Sequence, residues 1–291
     1  IELDPDWAEA HAALAQAYHF LASSGRPGVR DFYPKSKAAA LKALEIDETV
    51  STAHGSLAFV LLHYEWDWDA AEREYRRALE LNPNSALWTW GVAMFFRSAG
   101  RYEEAILWYK RAEERNPLSL LVKRQLGDTY NCAGQYDQAI KHLRNTLELD
   151  PNSASVRYSL ANAYLRKSMY EEAISESQKA VALRVDNPAL LARLGHAYAV
   201  AGRRDEALEV LNQLQKRYSD KFSLALVELY IVLGNKDKAL TLLQKAYEKR
   251  SGLLYIRCSP VFDSLRDNPA FQEILRGINF PEGDLQIETR K

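Results

Sequence analysis

Apolar side chains recur along this chain at helical spacing, in stretches separated by short turns. In residues 86–119 the first stretch ends at Gly100, and the second ends before Pro117. The apolar positions of the two stretches are Val92, Ala93, Phe96, Tyr102, Ala105, Tyr109 and Ala112. This spacing places the positions of each stretch on one helix face. The pattern therefore predicts two short amphipathic helices joined by a tight turn.

The two-helix pattern returns about every 34 residues. It predicts the repeats 8–50, 51–85, 86–119, 120–153, 154–187, 188–219 and 220–253. The first repeat is stretched, and the second is one residue longer than 34, an excess that we expect in the turn between its helices. One helix pair alone cannot bury its apolar face, so neighbouring pairs must stack. We therefore predict one elongated array rather than separate globular domains.

Small and aromatic residues recur at fixed offsets within the repeats. In the repeat 120–153 these residues are Leu126, Gly127, Tyr130, Gly134, Tyr136, Ala139, Leu143 and Pro151. This set resembles the tetratricopeptide repeat (TPR) family, and the resemblance covers nearly the whole chain. It implies an all-α fold, a right-handed α-solenoid of about seven helix pairs. It also implies that the first helix of each pair lines a concave groove.

The two ends of the chain depart from this period. The sequence of residues 1–5 matches the ends of later repeats, so we interpret residues 1–7 as the end of an upstream repeat in a longer polypeptide. Residues 254–281 are predicted to form capping helices, and residues 282–291 a flexible tail. The sequence of residues 254–281 also resembles the end of the C-terminal TPR regions of bacterial multidomain signalling proteins, such as regulators, cyclases and kinases.

Composition and motifs narrow the function classes. The net charge is −1, from 38 basic and 39 acidic residues, so we expect no nucleic-acid partner. No apolar run is as long as a membrane span, and we expect no direct membrane contact. Cys132 and Cys258 lie in different repeats, and their spacing favours neither a disulfide framework nor a metal site. Phosphate-loop, nucleophile-elbow and zinc-helix motifs are missing from the sequence, so we predict no catalysis and no cofactor or metal.

Binding is the remaining general function. The resemblance to the TPR family implies that the second, fifth, ninth and twelfth residues of each first helix usually face the ligand. The candidate groove residues here are Phe59, Trp90, Met94, Arg97, Arg124, Asp128, Asn131, Tyr158, Asn162, Arg193 and His196. We expect a protein or peptide ligand whose apolar residues meet Trp90 and Met94 and whose carboxylate meets Arg124 and Arg193. The alternative is that the aromatic residues pack inside the repeats and the arginines are merely solvated.

All six tryptophans lie within the first 108 residues. We predict that Trp68 is a core residue and that Trp66, which replaces the usual turn glycine, is more exposed. Exposed tryptophans would favour a second hypothesis. In it, the chain forms a homo-oligomer through its truncated N-terminal end, as the self-association arm of a bacterial signalling protein.

Overall fold

The computed structural model of the chain describes residues 4–23, 31–218, 223–250 and 252–281. These residues form helices and turns without any β-strand. Residues 1–3 lie outside the described ranges, as does the segment 282–291 that was expected to be a flexible tail. Within the described ranges, no helix combines the length and the apolar character needed to cross a membrane.

The chain divides into two compact units, and each is described by itself. The first compact unit comprises residues 1–116 together with 279–291, and the second comprises residues 117–278. Each is built from helix pairs, as the resemblance implies.

The helices of the first compact unit alternate with short connections. They are α1 (Ala8–Ser23), α2 (Phe32–Ile46), α3 (Ser51–Val60), α4 (Trp68–Leu81), α5 (Ala86–Ser98) and α6 (Tyr102–Arg115). Each odd-numbered helix packs on the even-numbered helix that follows it. Helix α1 also packs on α3, so the first helices of consecutive pairs are neighbours.

The second compact unit continues the same alternation. Its paired helices are α7 (Leu120–Cys132), α8 (Tyr136–Leu149), α9 (Ala154–Arg166), α10 (Tyr170–Leu183), α11 (Pro188–Val200), α12 (Arg204–Tyr218), α13 (Leu224–Val232) and α14 (Lys236–Glu248). Helices α7, α9, α11 and α13 contact one another in sequence, and we call them the first-helix layer. Two 3-10 turns, Ile256–Cys258 and Pro260–Leu265, and the helix α15 (Pro269–Ile278) close the unit. The result is an all-α, solenoid-type fold.

Small residues allow the paired helices to approach closely. A Cβ atom added at Gly127 on α7 would lie 2.5 Å from Cδ2 of Leu143 on α8. At Gly195 on α11, an added Cβ would lie 2.8 Å from Val210 and 2.9 Å from Leu229. These distances are shorter than van der Waals contact, so a larger residue would force the core to shift.

The extra residue of the repeat 51–85 lies inside a helix and not in the turn. Helix α3 continues as a π-helix over Leu61–Glu65, and the Asp67 amide donates to the Leu61 carbonyl at 3.1 Å. A π turn takes up one additional residue without displacing the following helix. Trp66 then ends the helix in the left-handed region, at φ 59°.

Trp66 is only 7% exposed, so the expectation that it would be more exposed is wrong. Trp66 has the left-handed backbone conformation that the usual turn glycine adopts, as its position in the sequence indicated. Its indole, however, lies in the interior. Trp68 is a core residue, as predicted.

Cys132 and Cys258 form a disulfide, with their Cα atoms 4.8 Å apart. The expectation of no disulfide is therefore wrong. The bond joins residues separated by 126 positions, at the end of α7 and in the first 3-10 turn after α14. Their spacing in the sequence carries no sign that the chain returns to α7.

Candidate functional site

Phe59 lies inside the first compact unit, although the sequence places it on a groove. It is 3% exposed, and its ring stacks between His19 and His63 at centroid distances of 4.5 and 4.2 Å. The centroid of the Tyr33 ring lies 6.5 Å from that of Phe59. Phe59 therefore contributes to packing, and a ligand cannot contact it without local opening.

Helix α5 carries the other three candidates of this unit. Met94 and Arg97 are buried, and the Arg97 guanidinium lies 5.7 Å from the centre of the Tyr109 ring. Trp90 is half-buried. Among the candidates in this unit, Trp90 is therefore the one with accessible surface in the described structure.

In the second compact unit, Arg124 already has an acidic partner. Its Nη1 atom lies 2.6 Å from Oδ2 of Asp128, one turn later on α7, and both side chains are partly exposed. Asn131 is buried one turn further on, where its Nδ2 donates to the Ser159 carbonyl at 3.4 Å. Arg124 and Asp128 thus reach the surface as a neutral pair rather than as a free cation.

Arg193 and His196 on α11 belong to a buried cluster with Glu228 on α13. Nη1 of Arg193 lies 2.7 Å from Oε2 of Glu228, and Nδ1 of His196 lies 3.5 Å from the same oxygen. Nη2 of Arg193 donates to the Tyr158 hydroxyl at 2.9 Å. Arg193, His196 and Glu228 are each 4% exposed. Arg193 therefore holds an internal carboxylate and not an open ligand position.

The surroundings of Glu228 and His196 determine which of these buried side chains is charged. Burial raises the pKa of Glu228, but Arg193, His196 and Arg166 together outweigh this effect and hold the pKa well below its usual value. Burial lowers the pKa of His196 more than Glu228 raises it, so the imidazole is neutral near pH 7. The cluster consequently contains an ionised carboxylate beside a permanent guanidinium.

A second guanidinium borders the cluster. Arg166, the last residue of α9, is partly exposed, and its guanidinium makes no hydrogen bond or ion pair with any residue in the described ranges. Burial lowers the pKa of Arg166, whereas the attraction of Glu228 raises it, yet a guanidinium keeps its charge in proteins. Arg193, through an ion pair, and Arg166, at longer range, therefore both act on the carboxylate of Glu228.

Helix α9 carries three polar side chains on one face, and two of them, Tyr158 and Arg166, interact with this cluster. Tyr158, Asn162 and Arg166 follow one another at four-residue intervals, which places them on one helix face. Tyr158 and Asn162 are half-buried, and no described residue makes a hydrogen bond to the Asn162 side chain. We call Tyr158, Asn162 and Arg166 the α9 stripe, and it is the candidate binding site.

Sequence reasoning identified Tyr158 and Asn162 but missed Arg166. Arg166 lies one residue beyond the twelfth position of its first helix, the last position that the family pattern assigns to the groove. Its four-residue spacing from Asn162 was the available signal.

The described ranges hold no group of three or more His, Cys, Asp or Glu side chains placed to bind a metal ion.

Comparison with known families gives three matches. The model described as "TPR repeat" matches residues 127–168, and two models described as "Tetratricopeptide repeat" match residues 66–119 and 167–221. Together the three matches cover about half of the chain. No curated protein matches the sequence.

Several solved structures share the fold. PilF of Pseudomonas aeruginosa is 26% identical with a TM-score of 0.57, over 76% of this chain and 95% of PilF. PilW, described as a widely conserved type IV pilus biogenesis factor, is 20% identical with a TM-score of 0.63, over 75% of this chain and 96% of PilW. A tetratricopeptide repeat protein of Parabacteroides merdae is 14% identical with a TM-score of 0.63, over 93% and 99% of the two chains.

The stacked helix pairs, the close glycine contacts and the family matches agree with one another. Repeats of this kind make the chain a protein-interaction scaffold. The chain belongs to the tetratricopeptide repeat family.

Proposed function

We propose that this chain is a non-catalytic scaffold that holds an acidic segment of a partner protein on the α9 stripe. The observation that carries the proposal is Arg166, a partly buried cation without an ion-pair partner among the described residues. A partner carboxylate would complete its hydrogen bonds and would balance the second positive charge beside Glu228.

The neighbouring side chains suit this ligand. The Asn162 amide can donate to a carboxylate oxygen, and the Tyr158 ring offers an aromatic surface beside it. Tyr158 is itself held in place, because its hydroxyl accepts from Arg193 and the Arg193 guanidinium lies 4.9 Å from its ring centre. The stripe is therefore preorganised, which reduces the entropic cost of binding.

Asp128 on the neighbouring helix α7 does not oppose an acidic ligand strongly, because Arg124 neutralises it at 2.6 Å. The proposal of a non-catalytic role is supported by His196, whose lowered pKa and buried position fit packing.

Binding can be tested with Arg166→Gln, which removes the charge and retains a polar side chain. The matched control is Arg184→Gln, because Arg184 is an exposed arginine at the end of α10. The probes are a short acidic peptide with a free C-terminus, its amidated form and a version with Gln in place of each Glu. Affinity is measured by fluorescence anisotropy.

We expect Arg166→Gln to weaken binding of the acidic peptide by about tenfold, as for loss of one charge-assisted contact. The control should bind like the wild type, and the Gln peptide should bind weakly to all three proteins. Equal affinity of Arg166→Gln and wild type would reject the α9 stripe as the site.

Self-association is a second candidate function, and exposed apolar side chains favour it. Trp7 is 54% exposed, and Phe20 and Leu21 on α1 are 44% and 43% exposed. A second copy of the chain would cover these side chains. Light scattering after gel filtration tests the idea, because Phe20→Lys should convert a dimer into a monomer. A wild-type monomer at high concentration would reject it.

A further inference from the structure

The disulfide ties a short segment to the opposite end of its own compact unit. We call residues 252–268 the closing segment. Cys258 lies in this segment, and Cys132 is the last residue of α7. The chain has only these two cysteines, so the bond uses every thiol that it possesses.

The rest of the closing segment is anchored elsewhere. Its second turn, Pro260–Leu265, packs on α13, and Nζ of Lys236 donates to the Ser264 carbonyl at 2.9 Å. Helices α7 and α13 are the two ends of the first-helix layer. The closing segment therefore spans this layer from one end to the other.

Side-chain packing holds the segment at the α13 end. Phe262 and Leu265 are buried, and the Phe262 ring stacks on Phe271 of α15 at 6.0 Å. The second 3-10 turn of the segment also packs on α13. The disulfide is a covalent link between the segment and α7, and both cysteines are partly exposed to solvent.

The disulfide and Arg166 lie at the same edge of the first-helix layer. Cys132 ends α7 and Arg166 ends α9, and these two helices are neighbours in the layer. The segment is therefore attached at the helix end next to the one that carries Arg166. Release of the segment would therefore widen access to Arg166.

We propose that the Cys132–Cys258 bond is a redox latch that holds the closing segment across the first-helix layer. A dithiol reductant opens it in two exchange steps. A thiolate of the reductant attacks one protein sulfur, which forms a mixed disulfide and releases the other cysteine. The second thiol of the reductant then displaces the first cysteine. The chain gains two electrons and two protons as two thiols, and the reductant leaves as a cyclic disulfide.

The latch itself is tested without any ligand. Wild-type protein oxidised in air is compared with the same protein after dithiothreitol treatment, by hydrogen exchange and mass spectrometry. We expect no free thiol before reduction and two after it. Amide exchange in residues 252–268 and in the last turn of α7 should become about tenfold faster or more, because the opened segment samples local unfolding more often. Peptides from α4 should not change.

Cys258→Ser supplies the matched variant. It should show the fast exchange without reductant and should not respond to dithiothreitol. Should this variant fold poorly, reduction of folded wild-type protein, with its far-ultraviolet circular dichroism unchanged, answers the same question. Two free thiols in air-oxidised protein, or unchanged exchange after complete reduction, would overturn the latch.

A binding measurement separates the latch from the proposed function, on which only its effect at Arg166 rests. If both are correct, reduction should strengthen binding of the acidic peptide by about threefold or more, because the released segment no longer limits access to Arg166. Faster exchange without any peptide binding would support the latch and would overturn the α9 stripe as a binding site.

Discussion

Single residues at the ends of the first helices carry a measurable backbone strain. Ser168 has φ 57°, in the position where α7 and α11 are followed by Gly134 and Gly202 at φ 75° and 79°. The same hydrogen bond closes all three helix ends, such as the Met169 amide to the Tyr164 carbonyl at 2.9 Å. Glycine adopts this conformation without the steric cost that serine meets.

Ser168→Gly should therefore raise the free energy of unfolding by about 0.5–1 kcal/mol. Urea denaturation followed by circular dichroism measures the change. The reciprocal variant is Gly134→Ala, where an added Cβ would meet no atom within 4 Å, so its destabilisation reports the backbone alone. A Ser168→Gly protein less stable than wild type would contradict the assignment of strain.

The single residue His19 makes the free energy of unfolding depend on pH. It is fully buried, neither ring nitrogen has a hydrogen-bond partner, and burial lowers its pKa from 6.5 to about 3. Between these two values the unfolded chain binds a proton that the folded chain does not. Stability is therefore complete above pH 6.5 and decreases as the pH falls toward 3.

Acidification from pH 7 to pH 5 should lower the free energy of unfolding by about 2 kcal/mol through His19 alone. His19→Leu cannot bind this proton, so its stability should fall by about that much less over the same range. Parallel urea titrations at the two pH values give the comparison. Identical pH dependence in both proteins would show that His19 ionises freely in the fold.

At the scale of helices, the ion pair between α11 and α13 has unequal partners. Loss of Glu228 leaves the Arg193 and Arg166 cations without a carboxylate, whereas loss of Arg193 leaves Arg166 to balance Glu228. An uncompensated buried charge costs several kcal/mol. The two single substitutions should therefore differ in cost.

We expect Glu228→Met to destabilise the protein by about 3–5 kcal/mol and Arg193→Met by less. The double substitution should cost less than the sum of the two, because the partners are then removed together. Chemical denaturation of the four proteins measures this cycle. Equal costs for the two single variants would mean that Arg166 does not share the carboxylate.

The helices themselves were predictable from sequence, because the signals at their ends act on their own backbone. Ser119 caps α7 by accepting from the Val122 amide, and Gly134 supplies the left-handed residue that follows it. Their action does not depend on a distant part of the chain. Local chemistry of this kind defines the repeat period and the helix bounds.

The state of the candidate site was less predictable, because it depends on side chains from other helices. Helical spacing indicates which face of α11 carries Arg193, but not that Glu228, 35 positions later, lies against it. In the same way, the spacing of Phe59 does not reveal that His19 stacks on its ring. The family pattern predicted which helix face would meet a ligand, and tertiary contacts decided which of its side chains are buried.

At the scale of the whole molecule, the two compact units carry different reporters. All six tryptophans belong to the first unit, and the disulfide belongs to the second. In the chain-entropy model, closing a loop of this length stabilises the fold by about 4–5 kcal/mol. Tryptophan fluorescence therefore reports one unit while circular dichroism reports both.

Dithiothreitol should lower the denaturation midpoint seen by circular dichroism and shift the fluorescence midpoint much less. This result requires that the two units unfold as separate cooperative blocks, as is common in repeat arrays. The Cys132→Ser/Cys258→Ser variant should not respond to reductant by either method. Equal shifts of both signals in the wild type would show one cooperative transition.

The disulfide also determines how the chain bears mechanical tension. A force applied at the two termini passes through the Cys132–Cys258 bond, so the helices between these cysteines carry no load while it is intact. The chain between the two cysteines, 126 positions apart, has an extended length of roughly 400 Å that the intact bond keeps from extending. Reduction would add this length to the extensible chain. An oxidised molecule pulled from its ends should therefore act as a shorter tether than its own sequence allows.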